Sequence, residues 1–411
     1  MRPLDTRLAP YEVFFPLAAL GTIVDLGLFL LTLDGRWSPP AGLGAVDWHA
    51  HEMLFGHFPA AFAGVMLTAL PRWTKGPSMA PVGVVGLAVS FLAARLAFAL
   101  APMPVLPWVS PLAIATLAIY AGGRIVAAGD RRDLGLVGLL GLLALADAFF
   151  LLGLGEGDVG FALRLGFAAA ALVAMVMGGR IAPALTRHLA AMRGRPEAPT
   201  PPRGFERLVF AVSVPALALW VFAPLARPTA ALLAVAALLH LGRLATWRGW
   251  SAIDRPPFLA LHLGYAFLPA GLAALALAAL RDDVVLADIG VHAWGTGTFG
   301  LMCAAIMTSV VRRYSGRALT VSRLADAIVG LLLLAAGLRL AAGLAGLSIG
   351  LVHASAGAWI AAYGVLLMLT RRDRRLPAGA GVSSEAADFE EENGGPGRTR
   401  TCNQSVMSGR L

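Results

Sequence analysis

A ten-residue stretch near the start of the chain holds most of the side chains that could do chemistry. Residues 48–57 read WHAHEMLFGH, which places His49, His51 and His57, three of the eight histidines, beside Glu52 at the mouth of a long apolar run. A charged group at a membrane helix centre costs roughly 2.5 kcal/mol or more, and a bound metal or haem is one way to offset that cost. Alternatively, the tryptophan and imidazoles form an interfacial belt among lipid headgroups. The motif alone leaves both interpretations open.

The elements that must position these groups are membrane helices. Of the 411 residues, 58% are hydrophobic and only 14% are charged, whereas a soluble domain has about 25% charged residues. Apolar runs of about 20 residues recur along the chain, and in a bilayer each run must pair its own backbone groups as a helix. We therefore predict an all-α, polytopic membrane helix bundle.

We predict about twelve transmembrane helices within a membrane domain of residues 1–375. The predicted spans are 11–33, 52–70, 80–101, 104–127, 134–154, 159–179, 206–225, 229–247, 258–279, 286–311, 321–344 and 347–370. A basic, proline-rich loop near 180–205 divides them into six plus six. The phrase Gly-Gly-Arg-Ile at 122–125 and 178–181 is weak evidence for an internal repeat. The polar tail 376–411 is predicted to be disordered.

The positions of the basic residues indicate the orientation of the protein in the membrane and not a nucleic-acid-binding surface. The net charge of +9 comes largely from arginines in alternate short loops, and the positive-inside rule then places both termini in the cytoplasm. Because no small-residue cleavage site follows the first span, we predict a retained helix and not a signal peptide. Cys303 lies in a span and Cys402 in the tail, so we expect no disulfide framework. The expected partner is the lipid bilayer, with no nucleic acid.

This topology sorts the intramembrane polar side chains by depth. The outer half receives Asp25, His49, His51, Glu52, Arg95, Asp147, Arg164, Asp288, His292, Arg339 and His353; His57 lies deeper, and His188, His240 and His262 fall in the inner half. Ionisable groups within spans usually face the bundle interior or a water-filled cavity. The outer cluster is therefore the main predicted site. Snorkelling is favoured for Arg164 and Asp288, and pairing or a ligand for Arg95 and Asp147.

Helical spacing separates the first two histidines of the motif. If Asp47 caps the second helix, His49, Glu52 and Gly56 share one face and His51 projects nearly opposite. The two histidines then serve different partners, or the segment is not yet helical, and the spacing allows either. A metal-bound histidine commonly donates its second ring nitrogen to a carboxylate. We therefore expect Glu52 to orient one of the two rings.

The tenth span carries two patterns with competing interpretations. Residues 295–300 match G-x-G-x-x-G, but no strand precedes them, so they predict a helix-packing face and not a dinucleotide site. His292, Met302, Cys303 and Met307 combine imidazole with soft sulfur, which suits copper. For each residue taken singly, filling the core is favoured. The lone histidines His240, His262 and His353 are likewise more often packed and hydrogen-bonded than ligands.

Five short sequence motifs, in order between about residue 11 and residue 370, are similar to motifs of a known protein family. They are WHAHEMLFG at 48–56, GVMLTALPRWT at 64–74, MGGRIAP at 177–183, LHLGY at 261–265 and HAWG at 292–295. As a set they resemble the NnrS family. These are bacterial inner-membrane proteins with about twelve helices, associated with haem, copper and the response to nitric oxide.

The resemblance implies haem and copper as cofactors and a multi-pass location in a bacterial inner membrane. The carried-over metal ligands are His49, His51, His262 and His292, and the side chains expected to contact the cofactor are Trp48, Glu52, Arg95 and Arg339. One phrase departs from the family, which usually has Gly-His-Thr-Gly-Arg after the tenth helix. Here residues 313–317 read RYSGR, so Tyr314 replaces the histidine. If that histidine binds metal in relatives, one site is altered in this chain.

Three functions fit these observations. The first is a haem- and copper-containing protein that protects against nitric oxide and nitrosative stress. The second is a secondary transporter, because six plus six spans around a long loop are common among transporters. The third is a sensor that binds nitric oxide without turnover. A purified haem protein absorbs strongly in the visible range and a transporter does not, whereas neither enzymatic turnover nor the oligomeric state is predicted by the sequence.

Overall fold

Twelve long helices make up most of the chain in the computed structural model, which describes residues 8–39, 43–100, 105–129, 131–154, 158–194, 202–252, 256–317 and 322–375. They are α1 (Pro10–Leu33), α2 (Ala45–Thr74), α3 (Pro81–Leu100), α4 (Leu112–Ala127), α5 (Leu134–Leu154), α6 (Gly160–Met192), α7 (Arg203–Phe222), α8 (Arg227–Thr246), α9 (Pro256–Arg281), α10 (Val284–Tyr314), α11 (Arg323–Leu344) and α12 (Ile349–Arg375). Short helices at Leu106–Val109 and Gly249–Ala252 lie in the connections. No strand occurs within these ranges.

Each predicted span corresponds to one long helix. Eleven of the described helices are long and apolar enough to cross a membrane, and α4, with 16 residues, is a shorter apolar helix. At 1.5 Å per residue, α4 extends about 24 Å, and the short helix Leu106–Val109 lies before it in the chain. The prediction of a polytopic, all-α membrane bundle is therefore confirmed.

Several helix boundaries differ from the predicted spans, including the starts of α2 and α4 and the end of α6. Helix α2 begins at Ala45 with Gly44 at its N-cap, so Asp47 lies in the first turn and is not the cap assumed when the spacing of the histidines was considered. Helix α6 continues to Met192, although the loop was predicted to start near residue 180. Apolarity marks only where a helix crosses lipid, and a helix does not have to end there. The centre of the basic loop, 195–201, and the tail 376–411 lie outside the described residues.

Helices α2 and α10 form the centre of the bundle. Within their apolar windows, 83% and 67% of the residues are buried, compared with 28% to 56% in the other long apolar helices. Helix α1 packs against both α2 and α12, which joins the first and last parts of the chain. The buried side chains form one main apolar core.

Both central helices contain a π-helical segment, at Glu52–His57 in α2 and Ala293–Gly300 in α10. Such wide turns occur frequently at functional sites. Glycines in these segments allow close approach: a Cβ atom on Gly56 would lie 3.0 Å from Nη1 of Arg95, and one on Gly297 would meet Phe267. The prediction that residues 295–300 provide a packing face is thus confirmed at Gly297.

Polar contacts place several helix ends together. We call the end of the bundle where α1 stops and α2 starts the His49 end. His353, near the start of α12, lies 3.1 Å from Asp34, which follows α1. Arg339, near the end of α11, contacts Asp288 near the start of α10 at 2.8 Å. The polar side chains predicted in the outer half thus gather at the His49 end.

Candidate functional site

One ring nitrogen of His49 is hydrogen-bonded to a carboxylate, and the other is available to a ligand. Its Nδ1 lies 3.1 Å from Oδ2 of Asp25 on α1, and its ring stacks on Phe29 with centroids 4.5 Å apart. Asp25 is buried, whereas 19% of the His49 side chain is exposed. In the tautomer that donates from Nδ1, Nε2 carries a lone pair. A carboxylate that fixes the tautomer in this way is typical of metal-binding histidines.

His51 is instead held at both ring nitrogens. Nδ1 lies 3.2 Å from Oε1 of Glu52, and Nε2 lies 2.9 Å from Oδ1 of Asp147 on α5. The ring is fully buried and stacks on Phe98 at a centroid distance of 3.8 Å. The two histidines of the motif therefore serve different partners, as one of the two interpretations of their spacing predicts. In this arrangement His51 connects α2 to α5 and directs neither nitrogen toward a ligand.

A closed circuit of hydrogen bonds, which we call the Arg95 ring, includes His51. It consists of His51, Glu52, Arg95, Ser110 and Asp147. Arg95 donates from Nη1 to Glu52 at 2.9 Å and from Nη2 to the Ser110 hydroxyl at 3.0 Å. Ser110 in turn donates to Asp147 at 3.1 Å. Arg95 and Asp147, for which pairing or a ligand was predicted, each have a polar partner, Glu52 and His51 respectively. Ser110, a single hydroxyl in a connection, gave no signal in the sequence.

Three buried polar atoms at the His49 end have no hydrogen-bond partner among the described residues. They are Oδ1 of Asp25, Nε1 of Trp48 and Nε of Arg95. Leaving a buried donor or acceptor unpaired costs about 1–3 kcal/mol, and such atoms are uncommon in native proteins. A ligand bound at the His49 end could supply partners for these atoms.

His292, on the second central helix, also contacts an aspartate through Nδ1, but one that lies four residues earlier on the same helix. Its Nδ1 lies 2.9 Å from the carbonyl oxygen of Asp288 and 3.1 Å from Oδ1 of the same residue. Arg339 donates from Nη2 to both carboxylate oxygens of Asp288, at 2.8 and 2.9 Å, and its Nη1 is buried without a partner. Asp288 is thus ion-paired, and the prediction that it only snorkels was wrong. As at His49, Nε2 of the imidazole is available to a ligand.

His262 and His57 are packed residues with both ring nitrogens engaged. His262 lies 2.9 Å from the Thr186 hydroxyl and 3.2 Å from the backbone oxygen of Phe258. It is near the start of α9, at the end of the bundle opposite His49, so the structure does not bring it to the other predicted ligands. His57 lies 3.0 Å from the Tyr363 hydroxyl and 3.0 Å from a backbone oxygen of α1.

A second polar cluster, which we call the Arg243 network, lies toward the opposite end. Arg243 pairs with Glu206 at 2.6 Å and donates to the Tyr265 hydroxyl at 2.7 Å. His240 lies 2.7 Å from the same hydroxyl through Nδ1 and 3.0 Å from the Ser213 hydroxyl through Nε2. The expectation that His240 is packed and hydrogen-bonded is confirmed. The ion pair was missed because Glu206 and Arg243 lie 37 positions apart near helix ends.

The donor set fits haem better than a copper ion. Within the described ranges, no group of three or more His, Cys, Asp or Glu side chains is placed to hold a metal ion. A haem iron needs only one or two axial ligands from the protein, which an isolated imidazole such as His49 or His292 can supply. The unpartnered nitrogens of Arg95 and Arg339 suit carboxylate groups such as haem propionates.

Residues 7–372 match the family model described as NnrS protein. The match begins before α1 and ends within α12, so it covers nearly the whole chain. No curated protein matches the chain. Tyr314, at the position where we expect a histidine in relatives, ends α10 with 47% of its side chain exposed, and its ring lies 5.3 Å from that of Tyr11. This replacement is therefore remote from His49.

Proposed function

Because the chain belongs to the NnrS family, we propose that this multi-pass membrane protein binds haem at the His49 end and takes part in the response to nitric oxide. Its proposed location is a bacterial inner membrane. The observation that carries the proposal is the arrangement of His49: buried Asp25 holds its imidazole through Nδ1, and Nε2 is available to an iron. Bound haem would supply an iron that binds nitric oxide when it is reduced.

The residues divide between ligation and positioning. We propose His49 and His292 as haem ligands, with Asp25 and Asp288 fixing their rings through Nδ1. Arg95 and Arg339 would contact propionates, because each has one buried nitrogen without a hydrogen-bond partner. Two histidines with an aspartate at Nδ1, one on each central helix, support either one haem per site or a haem and a second metal.

The remaining predicted residues support this end of the bundle. Trp48 stacks on Phe98 at 5.2 Å and has a buried, unpartnered Nε1, so it would contact a cofactor through the indole. Glu52 holds Arg95 at 2.9 Å and His51 at 3.2 Å. We propose copper only as a second cofactor, because the described side chains present no preformed set of ligands for it.

The direct test is absorbance spectroscopy and metal analysis of the full-length protein purified in detergent after expression with added haem precursor and copper. We expect stoichiometric iron and a haem spectrum that shifts when nitric oxide is added to the reduced protein. A colourless protein without iron would refute the proposal and favour a transporter. Consumption of nitric oxide under a supplied reductant would indicate turnover, whereas a spectral shift without consumption would indicate sensing.

A further inference from the structure

A small cavity lies between the two central helices and α6, apart from the polar sites already described. Its walls include Phe58 and Phe62 of α2, Ala174 and Met177 of α6, and Thr298 and Met302 of α10. The cavity volume is about 40 Å³. Except for the hydroxyl of Thr298 and the thiol of Cys303, the lining side chains are aliphatic, aromatic or thioether groups.

The size and the lining restrict what this cavity can hold. A single water needs a volume of about 10–15 Å³ and two to four polar partners. The cavity exceeds that volume, but Thr298 is its one hydroxyl-bearing lining residue. That hydroxyl is fully buried and has no hydrogen-bond partner among the described residues. A neutral, apolar molecule of two or three heavy atoms fits better than ordered water.

The rim of the cavity is apolar. Val65, Cys303 and Ile306 are half-buried, whereas the other lining residues are buried. Entry therefore passes hydrocarbon and thiol groups and no charged side chain. A solute that partitions into the hydrocarbon core of the bilayer meets little cost at such a rim, whereas an ion would lose its hydration without compensation.

The cavity also lies where the two π-helical segments converge. Phe58 directly follows the segment Glu52–His57, and Thr298 and Phe299 belong to the segment Ala293–Gly300. The rings of Phe58 and Phe299 are 5.1 Å apart. The opposite ends of these segments adjoin His51 and His292, so each segment runs from a polar site at the His49 end to this cavity.

We propose that the cavity is a binding site for a neutral, apolar molecule of two or three heavy atoms taken up from the bilayer, a class that includes diatomic gases. The lining offers such a molecule dispersion contacts with aliphatic, aromatic and thioether groups. This inference deepens the proposed function, since nitric oxide belongs to the class. The test below uses xenon, so that the cavity is judged separately from haem binding.

The experiment locates xenon in the full-length protein, by anomalous diffraction from pressurised crystals and by ¹²⁹Xe NMR in lipid nanodiscs. We expect one bound xenon between Phe58, Ala174 and Met302. Ala174→Leu fills the cavity and should abolish this site. The matched control is Ala184→Leu, the same substitution at an exposed position of α6, which should leave it intact.

Two results would overturn the proposal: no xenon at this position in the wild-type crystal, or equal xenon binding by the wild type and a folded Ala174→Leu variant. The crystal result does not depend on a variant, so misfolding of Ala174→Leu cannot obscure it. A colourless protein that binds xenon here would refute the haem assignment and leave the cavity supported. A haem protein without bound xenon would support the haem assignment and refute the cavity proposal.

Discussion

The Arg243 network and the cluster around His49 are both polar groups inside an apolar bundle, but they differ in how completely their atoms are paired. In the Arg243 network, both ring nitrogens of His240 have partners, and the Arg243 guanidinium donates to Glu206, Tyr265 and a backbone oxygen. At the His49 end, by contrast, one polar atom each of Asp25, Trp48 and Arg95 is buried without a partner among the described residues. The first cluster is complete as it stands.

This difference separates a structural role from a binding role. A fully satisfied buried network stiffens the fold and specifies one arrangement of its helices, whereas a partly satisfied one lowers stability. The Arg243 network therefore has a structural role, because it joins α7, α8 and α9. The unpaired atoms near His49 are a cost that a bound ligand would offset. Substitutions in the two clusters should consequently act on different measurements.

The largest effect on stability is expected for Arg243→Ala. Arg243 is 3% exposed and has partners on three other helices, namely Glu206 on α7, Tyr265 on α9 and the backbone oxygen of Met175 on α6. Because the Glu206 side chain is 33% exposed, the loss should come mainly from the buried groups left unpaired, at about 1–3 kcal/mol each. Thermal unfolding in detergent should show the loss, while the haem content per folded molecule stays unchanged. Arg227→Ala, at an exposed position of the same helix, is the control. A folded Arg243→Ala protein without haem would contradict the structural role.

The largest effect on the cofactor is expected for His49→Ala. The side chain is partly buried and contacts Asp25 and Phe29 of α1. Its removal leaves the buried Asp25 carboxyl group without a hydrogen-bond partner among the described residues, so we expect the free energy of unfolding to fall by about 1–3 kcal/mol. The haem-to-protein ratio of the purified variant should nevertheless collapse. His353→Ala is the matched control, because His353 also contacts an aspartate, Asp34, at the same end of the bundle. Equal haem content in both variants would exclude His49 as a ligand.

The sequence predicts the twelve helices because hydropathy over about 20 residues is a local property. It also predicts the polar residues of the His49 end, since each is conspicuous within an apolar run. The partners of those residues are a different matter. Asp25 and His49 are 24 positions apart, and His51 and Asp147 are 96 apart, so their pairing depends on how whole helices pack.

The π-helical segments escaped prediction for a related reason. The spacing of His49, Glu52 and Gly56 was read on a regular α-helix, but the structure widens the helix from Glu52 onward. Nothing in the pattern of side chains distinguishes such a turn from an ordinary one. The glycines in the two segments become informative only when the neighbours that fill their space, such as Arg95 beside Gly56, are known.

A smaller effect, and of the opposite kind to that of His49, is expected for His51→Ala. Asp147 would keep Ser110 but lose its bond to Nε2 of His51, and an unpaired buried group costs about 1–3 kcal/mol. We therefore expect a lower unfolding temperature and a normal haem-to-protein ratio. Loss of haem from a folded His51→Ala protein would instead make His51 a ligand, and would show that the Arg95 ring rearranges when the cofactor binds.

The smallest effect is expected for Glu52→Gln. The amide keeps the size of the side chain and can still accept a hydrogen bond from Arg95 at the position where Oε1 now lies 2.9 Å from Nη1. What changes is the charge, because the Arg95 guanidinium loses its ionic partner. One negative charge fewer beside a haem disfavours the oxidised iron, so the midpoint potential should rise and the absorbance spectrum should shift slightly. Glu206→Gln, the same change in the Arg243 network, should leave both unchanged. A potential that falls, or an equal shift in both variants, would mean that the Arg95 ring does not face the haem.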